Sequence, residues 1–273
     1  MPNTVFLGIG HYLPEKIVTN DDLSQRMDTS DEWIQQRTGI QTRHYVDFEN
    51  NPMGASDLGT LAAKNALENA GVDKDEIDLI VYATLSPDRF FPGDAVFVQK
   101  KLDIPAGVPA LDIRNQCSGF IYGLSIANAF IQTGQYKRIL LIGSEVHSSG
   151  LDFSDRGRDV AVIFGDGAGA VLLEPTEDGL GIQDAILRSD GAVMEFLHMK
   201  AGGSAKPASH ATIDAKEHYI FQDGQPVFKA AVKSMADVSE EIMERNNLSA
   251  DDVAWLVPHQ ANKRIIDATA RRM

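Results

Sequence analysis

Short apolar runs alternate with amphipathic helical stretches along this chain. Leu79-Ile80-Val81-Tyr82-Ala83, Arg138-Ile139-Leu140-Leu141-Ile142-Gly143 and Val160-Ala161-Val162-Ile163-Phe164 read as buried strands, as does the run from Thr4 to Gly10. Between them, residues 56–70 place Leu58, Leu61, Ala62 and Ala66 at helical spacing, with Asn65 as one polar intrusion and Gly71 as the stop. Residues 118–133 form a second helix that ends at Gly134 in the same way. Strands alternating with helices of this length predict an α/β layered fold. Residues 115–136 carry no Asp, Glu, Lys or Arg, but Asn115, Gln116, Asn128, Gln132 and three glycines interrupt the run. That pattern predicts a helix buried inside the protein and no membrane insertion.

The chain also carries a weak internal repeat. The stretch from Gly71 to Val81 matches the stretch from Asn247 to Val257, each a helix end, an acidic turn and a strand-like run. The same offset sets the first strand against Gly181 to Ile186. Two halves follow, 1–176 and 177–273, and the second would stop one helix after its strand. The expectation is therefore a chain whose second half is incomplete.

Composition narrows the function classes. One Cys in 273 residues excludes a disulfide or zinc scaffold and favours a reducing compartment, so the expected location is cytoplasmic. A net charge of −14 argues against general binding to nucleic acid or anionic membrane. The strand-like run at the N-terminus leaves no expected secretory signal. No P-loop, zinc-ligand spacing or EF-hand loop is visible, and no cofactor is expected.

Two residues lead the candidates for chemistry. Cys117 lies where a strand (Pro109 to Ile113) meets the start of the apolar helix, and unpaired N–H groups there favour thiolate. The alternative is a small core residue. His259, in Val257-Pro258-His259-Gln260-Ala261-Asn262, follows a strand-like run, where α/β sites collect. It reads equally as a structural histidine. Phe164-Gly165-Asp166-Gly167-Ala168-Gly169-Ala170 is a poor dinucleotide loop, because Val171-Leu172-Leu173 reads as strand, and a tight turn is expected instead. Lys263, Arg264, Arg271 and Arg272 form a basic patch suited to phosphate or an acidic partner, or simply a solvated cationic helix end.

Taken together, Asp28-Thr29-Ser30-Asp31-Glu32-Trp33-Ile34, Arg37-Thr38-Gly39-Ile40, the Cys117 segment, Asp155-Arg156-Gly157, the 164–170 segment and Val257 to Asn262 resemble β-ketoacyl-acyl-carrier-protein synthase III of the thiolase-like superfamily. The resemblance runs the length of the chain. It implies a five-layered αβαβα fold of two pseudo-repeated halves, a homodimer, and decarboxylative condensation of acyl-CoA with malonyl-acyl carrier protein. It implies that Cys117 is the acylated nucleophile and His259 the imidazole of the decarboxylation step. It also implies that Thr29, Trp33, Arg37, Arg156, Phe228 and Asn262 line the coenzyme A or pantetheine channel. By the same resemblance Lys263 and Arg264 lie at the carrier-protein docking site, and Phe91 caps the acyl pocket of the partner subunit. The family's catalytic asparagine and a Gly-rich strand lie beyond Met273 in this pattern, so a truncated chain is expected. Related readings are a thiolase-fold acyltransferase, an enzyme joining two acyl chains, and a non-catalytic acyl-binding fragment.

Overall fold

The computed structural model describes every residue except Gln116. The strands are β1 (Asn3–Tyr12), β2 (Lys16–Thr19), β3 (Thr42–Tyr45), β4 (Leu79–Ala83), β5 (Ala110–Ile113), β6 (Ile139–Val146), β7 (Asp166–Thr176), β8 (Leu197–Met199) and β9 (Ile220–Gln222). The helices are α1 (Asn20–Ser24), α2 (Asp31–Thr38), α3 (Ala55–Ala70), α4 (Asp94–Lys101), α5 (Gly119–Gln132), α6 (Arg158–Ala161), α7 (His210–Asp214), α8 (Gly224–Arg245) and α9 (Lys263–Ala270). They divide into two compact units that interleave along the chain. The first comprises 1–17, 44–146 and 165–187, and the second 18–43, 147–164 and 188–273.

The first unit is a three-layered sandwich. Its sheet has the order β1-β7-β6-β4-β5. β4 runs parallel to β5 and β6, whereas β7 is antiparallel to β6 and β1. Ile80, Tyr82, Leu140, Ile142 and Leu172 face α3, while Leu79, Val81, Ile139, Leu141 and Leu173 face α5. The strands therefore bury both faces, which is why their sequences run apolar without alternation.

Two helices dock closely because the sequence supplies small residues at their contacts. Gly8 and Gly10 of β1 lie under α3; a Cβ at Gly10 would stand 2.3 Å from the Ala62 carbonyl oxygen. Asn65, the intrusion on that helix, accepts the His11 backbone N–H through Oδ1 at 3.2 Å. On α5, Gly119, Gly123, Ala127 and Ile131 recur every four residues as the buried stripe. The remaining positions of α5 are only partly covered, and Ile121 is exposed. This helix is thus half-buried, contrary to the expectation of a fully enclosed one.

Other expectations need correction. Val160 to Phe164 is no strand: Arg158–Ala161 is α6, with Gly157 as its N-cap. A five-residue apolar run is buried equally well in either form, so periodicity cannot separate them. Phe164 to Ala170 is not a tight turn, because Asp166 onward is the first half of β7, paired on both sides. Finally, 181–186 and 253–257 adopt no strand, so the offset match between the two halves holds for the helix ends and for the capped turns Lys74–Glu76 and Ala250–Asp252 but not for the strands. A strand holds only when its N–H and C=O groups meet a neighbour; without one, Trp255 is 87 % and Val257 84 % exposed. In the second unit the long amphipathic α8 packs against α9, and β8 and β9 form a two-stranded ribbon.

Candidate active site

In the first unit, the parallel strands β4, β5 and β6 bring their carboxyl ends to one edge of the sheet. Cys117 follows β5 at this edge and directly precedes Ser118, the N-cap of α5. Asn115 Nδ2 donates to Ser118 Oγ at 3.1 Å. Gly119 packs against the end of β4, where an added Cβ would lie 3.2 Å from Ala83 Cβ. Cys117 is exposed and is the only cysteine of the chain.

The electrostatics at the thiol correct the expectation of a stabilised thiolate. Loss of hydration within the protein pushes the Cys117 thiol up, the Glu145 carboxylate pushes it further, and its own backbone N–H opposes both without prevailing. The Cys117 thiol therefore rests protonated. Glu145 itself is bound closely. It accepts from Leu85 N at 2.9 Å, Ser86 N at 3.1 Å, Ser86 Oγ at 2.5 Å and Thr84 Oγ1 at 3.4 Å.

The segment after this turn is anchored by carboxylates. Asp112 of β5 accepts the N–H groups of Asp94 and Ala95 at the start of α4, at 2.6 and 2.9 Å. Asp94 is fully buried and accepts from Asp88 N at 3.1 Å. Burial first, then the charge of Asp88, pushes Asp94 up to about 7. Asp88 bonds Ser56 and lies 3.7 Å from Lys101. The segment between these anchors presents Phe90 and Phe91 almost fully to solvent.

The second unit gathers arginines on aromatic rings. The Trp33 ring has Arg37 at 4.4 Å and Arg158 at 4.7 Å. Arg26 lies over Phe153 at 4.3 Å, and Arg156 over Tyr219 at 5.9 Å. Ser30 caps α2 by accepting Trp33 N, which orients the indole. Arg158 also donates to Asp28 O at 2.8 Å, and Asp155 accepts Asp28 N at 2.7 Å, fixing the segment before Ser30. Thr29 lies in that segment, and its Oγ1 is buried with no hydrogen-bond partner among the described residues. Arg156 is held by Asp152 at 2.7 Å. Trp33, Arg37, Arg156 and Thr29 were expected here, whereas Arg26 and Arg158 were not. Their only sequence signal is a cation in an acidic chain, which does not reveal the ring it meets.

His259 also belongs to the second unit and is exposed in the segment before α9. Loss of hydration lowers its pKa, so its imidazole is neutral at pH 7. Asn262 is the N-cap of α9, its Oδ1 accepting Ile265 N at 3.0 Å. Arg264 lies 5.2 Å from the Phe228 ring centre, which brings those two expected residues together. The expected basic patch is partly neutralised: Lys263 pairs with Asp267, and Arg272 with Asp237 and Glu240. Among the described residues no cluster of His, Cys, Asp and Glu is arranged to hold a metal ion, and no helix is long and apolar enough to cross a membrane.

Known proteins are similar to this chain in sequence and fold. Residues 111–191 match the family model for 3-oxoacyl-[acyl-carrier-protein] synthase III, and residues 243–273 match the model for its C-terminal part. The chain is 50 % identical over 264 residues to a β-ketoacyl-[acyl-carrier-protein] synthase III of Chlorobaculum tepidum, an alignment covering 96 % of this chain and 79 % of that protein. It is 48 % identical over 267 residues to the one of Koribacter versatilis, covering 97 % and 78 %. The crystal structure of the 3-oxoacyl-[acyl-carrier-protein] synthase III of Aquifex aeolicus superposes with a TM-score of 0.87 at 41 % identity, covering 99 % of this chain and 80 % of that one.

Proposed function

The chain belongs to the β-ketoacyl-[acyl-carrier-protein] synthase III family, and from that premise we propose that Cys117 is its acylated nucleophile and His259 the group that serves the condensation half-reaction. The protein is a thiolase-like condensing enzyme, an acyltransferase that initiates fatty acid synthesis. The observation that carries the assignment is the position of its single, exposed cysteine, at the start of a helix free of charged residues on the carboxyl edge of the parallel strands.

The reaction follows from the groups present. The Cys117 thiol gives up its proton and its sulfur attacks the thioester carbonyl of acyl-CoA; the coenzyme thiol leaves and takes a proton. The tetrahedral oxyanion needs a preorganised donor, and the Cys117 backbone N–H at the helix start supplies one. Malonyl-acyl carrier protein then loses carbon dioxide. Its thioester oxygen gains enolate charge, and the neutral His259 imidazole stabilises it by donating a hydrogen bond. The enolate carbon attacks acyl-Cys117, a carbon–carbon bond forms, and the cysteine sulfur leaves. Neither step needs a metal or a redox cofactor.

Trp33, Arg37, Arg158 and Arg156 suit the nucleotide end of coenzyme A, since rings and guanidinium planes stack on a base and the cations attract its phosphates. The unpartnered Thr29 hydroxyl fits a ligand in the same place. Phe228 and Asn262 extend that lining. Lys263 and Arg264 suit the acidic surface of a carrier protein. A homodimer is supported by β5, an edge strand with Leu111 exposed, and by the solvent-facing Phe91. The division into halves 1–176 and 177–273 is supported by the capped turns Lys74–Glu76 and Ala250–Asp252, which recur at the same offset.

The half-reactions test the assignment. Cys117→Ala abolishes acyl transfer from acyl-CoA and leaves His259 in place to promote decarboxylation. His259→Ala still accepts the acyl group but loses decarboxylation and condensation. A His259→Ala enzyme with undiminished condensation contradicts the role given to that residue.

A further inference from the structure

Glu145 is a charged residue placed where a nucleophile has to lose a proton, which calls for an explanation. It stands near the carboxyl end of β6, opposite Gly167 of β7. The parallel pairing sets Ala83 beside Gly143, so the chain leaving β4 passes alongside Glu145. There it accepts from the Leu85 and Ser86 N–H groups and from the Ser86 and Thr84 hydroxyls. Ser86 Oγ in turn accepts Val146 N at 2.8 Å, and Thr84 N donates to Ile113 O at 3.2 Å. The turn 84–86 is thereby tied to β5 and β6 together. The residue just before it, Ala83, is the surface on which Gly119 packs at the start of α5. A chain of contacts thus runs from Glu145 through the turn to the helix start that holds Cys117.

We propose that Glu145 is a positioning residue for acyl transfer: by gripping residues 84–86 it fixes the wall against which the Cys117 helix start is packed. The inference rests on Cys117 being the acylated nucleophile. Four donors converge on this one carboxylate, whose two oxygens accept them all. Arg114 stands exposed between β5 and Cys117 with the opposite charge, and further ionisable groups near this edge of the first unit are engaged elsewhere. Asp112 accepts at the start of α4, Asp88 lies with Ser56 and Lys101, Tyr82 donates to Ala55 O, and α5 contributes Tyr122 and no charged residue. Burial raises the Cys117 thiol pKa most, and the Glu145 charge adds to it. The enzyme gains a fixed wall behind the helix start that follows Cys117.

The test combines alkylation with steady-state kinetics. Because the chain has one cysteine, iodoacetamide uptake reports on Cys117 whatever its role in catalysis. Glu145→Gln keeps an acceptor oxygen and removes the charge; the pH midpoint of alkylation moves down. Glu145→Ala also removes the grip, and kcat for condensation falls about 10- to 100-fold with KM for acyl-CoA unchanged. Glu145→Asp restores the native alkylation midpoint and recovers part of kcat. If Glu145→Ala does not fold, Glu145→Gln carries the test alone. An unmoved midpoint in Glu145→Gln overturns the proposal, as does a Glu145→Ala enzyme with native kcat. A failure of Cys117 to take an acyl group in the native enzyme is a separate result, which overturns the assignment of the nucleophile.

Discussion

The Arg158 guanidinium lies 4.7 Å from the centre of the Trp33 ring, which Arg37 also approaches at 4.4 Å. Two cations on one indole, in a chain of net charge −14, are what the proposed site for an anionic, ring-bearing ligand rests on. If this site holds the nucleotide end of coenzyme A, it contributes binding far from the reacting thioester. Trp33→Ala and Arg158→Ala then raise KM for acyl-CoA by about tenfold, the expected loss for a stacking or charge contact of about 1.4 kcal/mol. Their kinetics with an acyl-pantetheine thioester, which lacks the nucleotide, stay native. An equal loss with both substrates contradicts the placement.

Asp94 gives the pH dependence of stability a definite sign. Its pKa is raised from 3.8 to about 7 in the fold, so between these values the folded chain holds a proton that the unfolded chain has lost. Stability from this group is complete below the unfolded value and is lost as pH rises through about 7. Asp94→Asn mimics the protonated form. Urea unfolding is expected to show no gain from this variant at pH 4, a growing gain towards pH 7 and a plateau above it, reaching a few kcal/mol at most. A gain of equal size at every pH refutes the buried-acid account.

The contact between β1 and α3 predicts a contrast between two glycines. A Cβ at Gly10 meets backbone atoms at 2.3 Å, and backbone cannot swing aside. Gly10→Ala is expected to cost about 3 kcal/mol or more. Gly169 has nothing within 4 Å of its Cβ position, so Gly169→Ala costs less than about 1 kcal/mol. Thermal melts of the two variants decide it, and similar melting temperatures would exclude the close packing described.

The first unit was largely legible from the order of residues. Leu79–Ala83 and Ile139–Val146 are strands and Ala55–Ala70 is a helix where the pattern placed them, because burial and glycine stops act locally. Val160 to Phe164 was not, since a short apolar run is buried alike in helix and strand. The expected strand at 253–257 failed for a different reason: it matches the β4 region in sequence, but strand formation depends on a neighbour and not on the segment alone. At the site, Cys117 stood out by residue type and context, and Trp33 only through the resemblance of its segment to the family. Arg158, Arg26 and Glu145 did not, because their roles depend on partners distant in the chain. The sign of the Cys117 shift was also hidden, because its larger cause, burial of the thiol, and its smaller one, the Glu145 charge, both arise only in the folded chain.

The most direct test of the account is an intact mass spectrum of the protein before and after exposure to acyl-CoA, with the adduct located by peptide mapping. The account predicts a mass increase of one acyl group, carried by Cys117 and absent from Cys117→Ala. A folded protein that gains no acyl mass, or gains it at another residue, contradicts the assignment of Cys117 as the nucleophile.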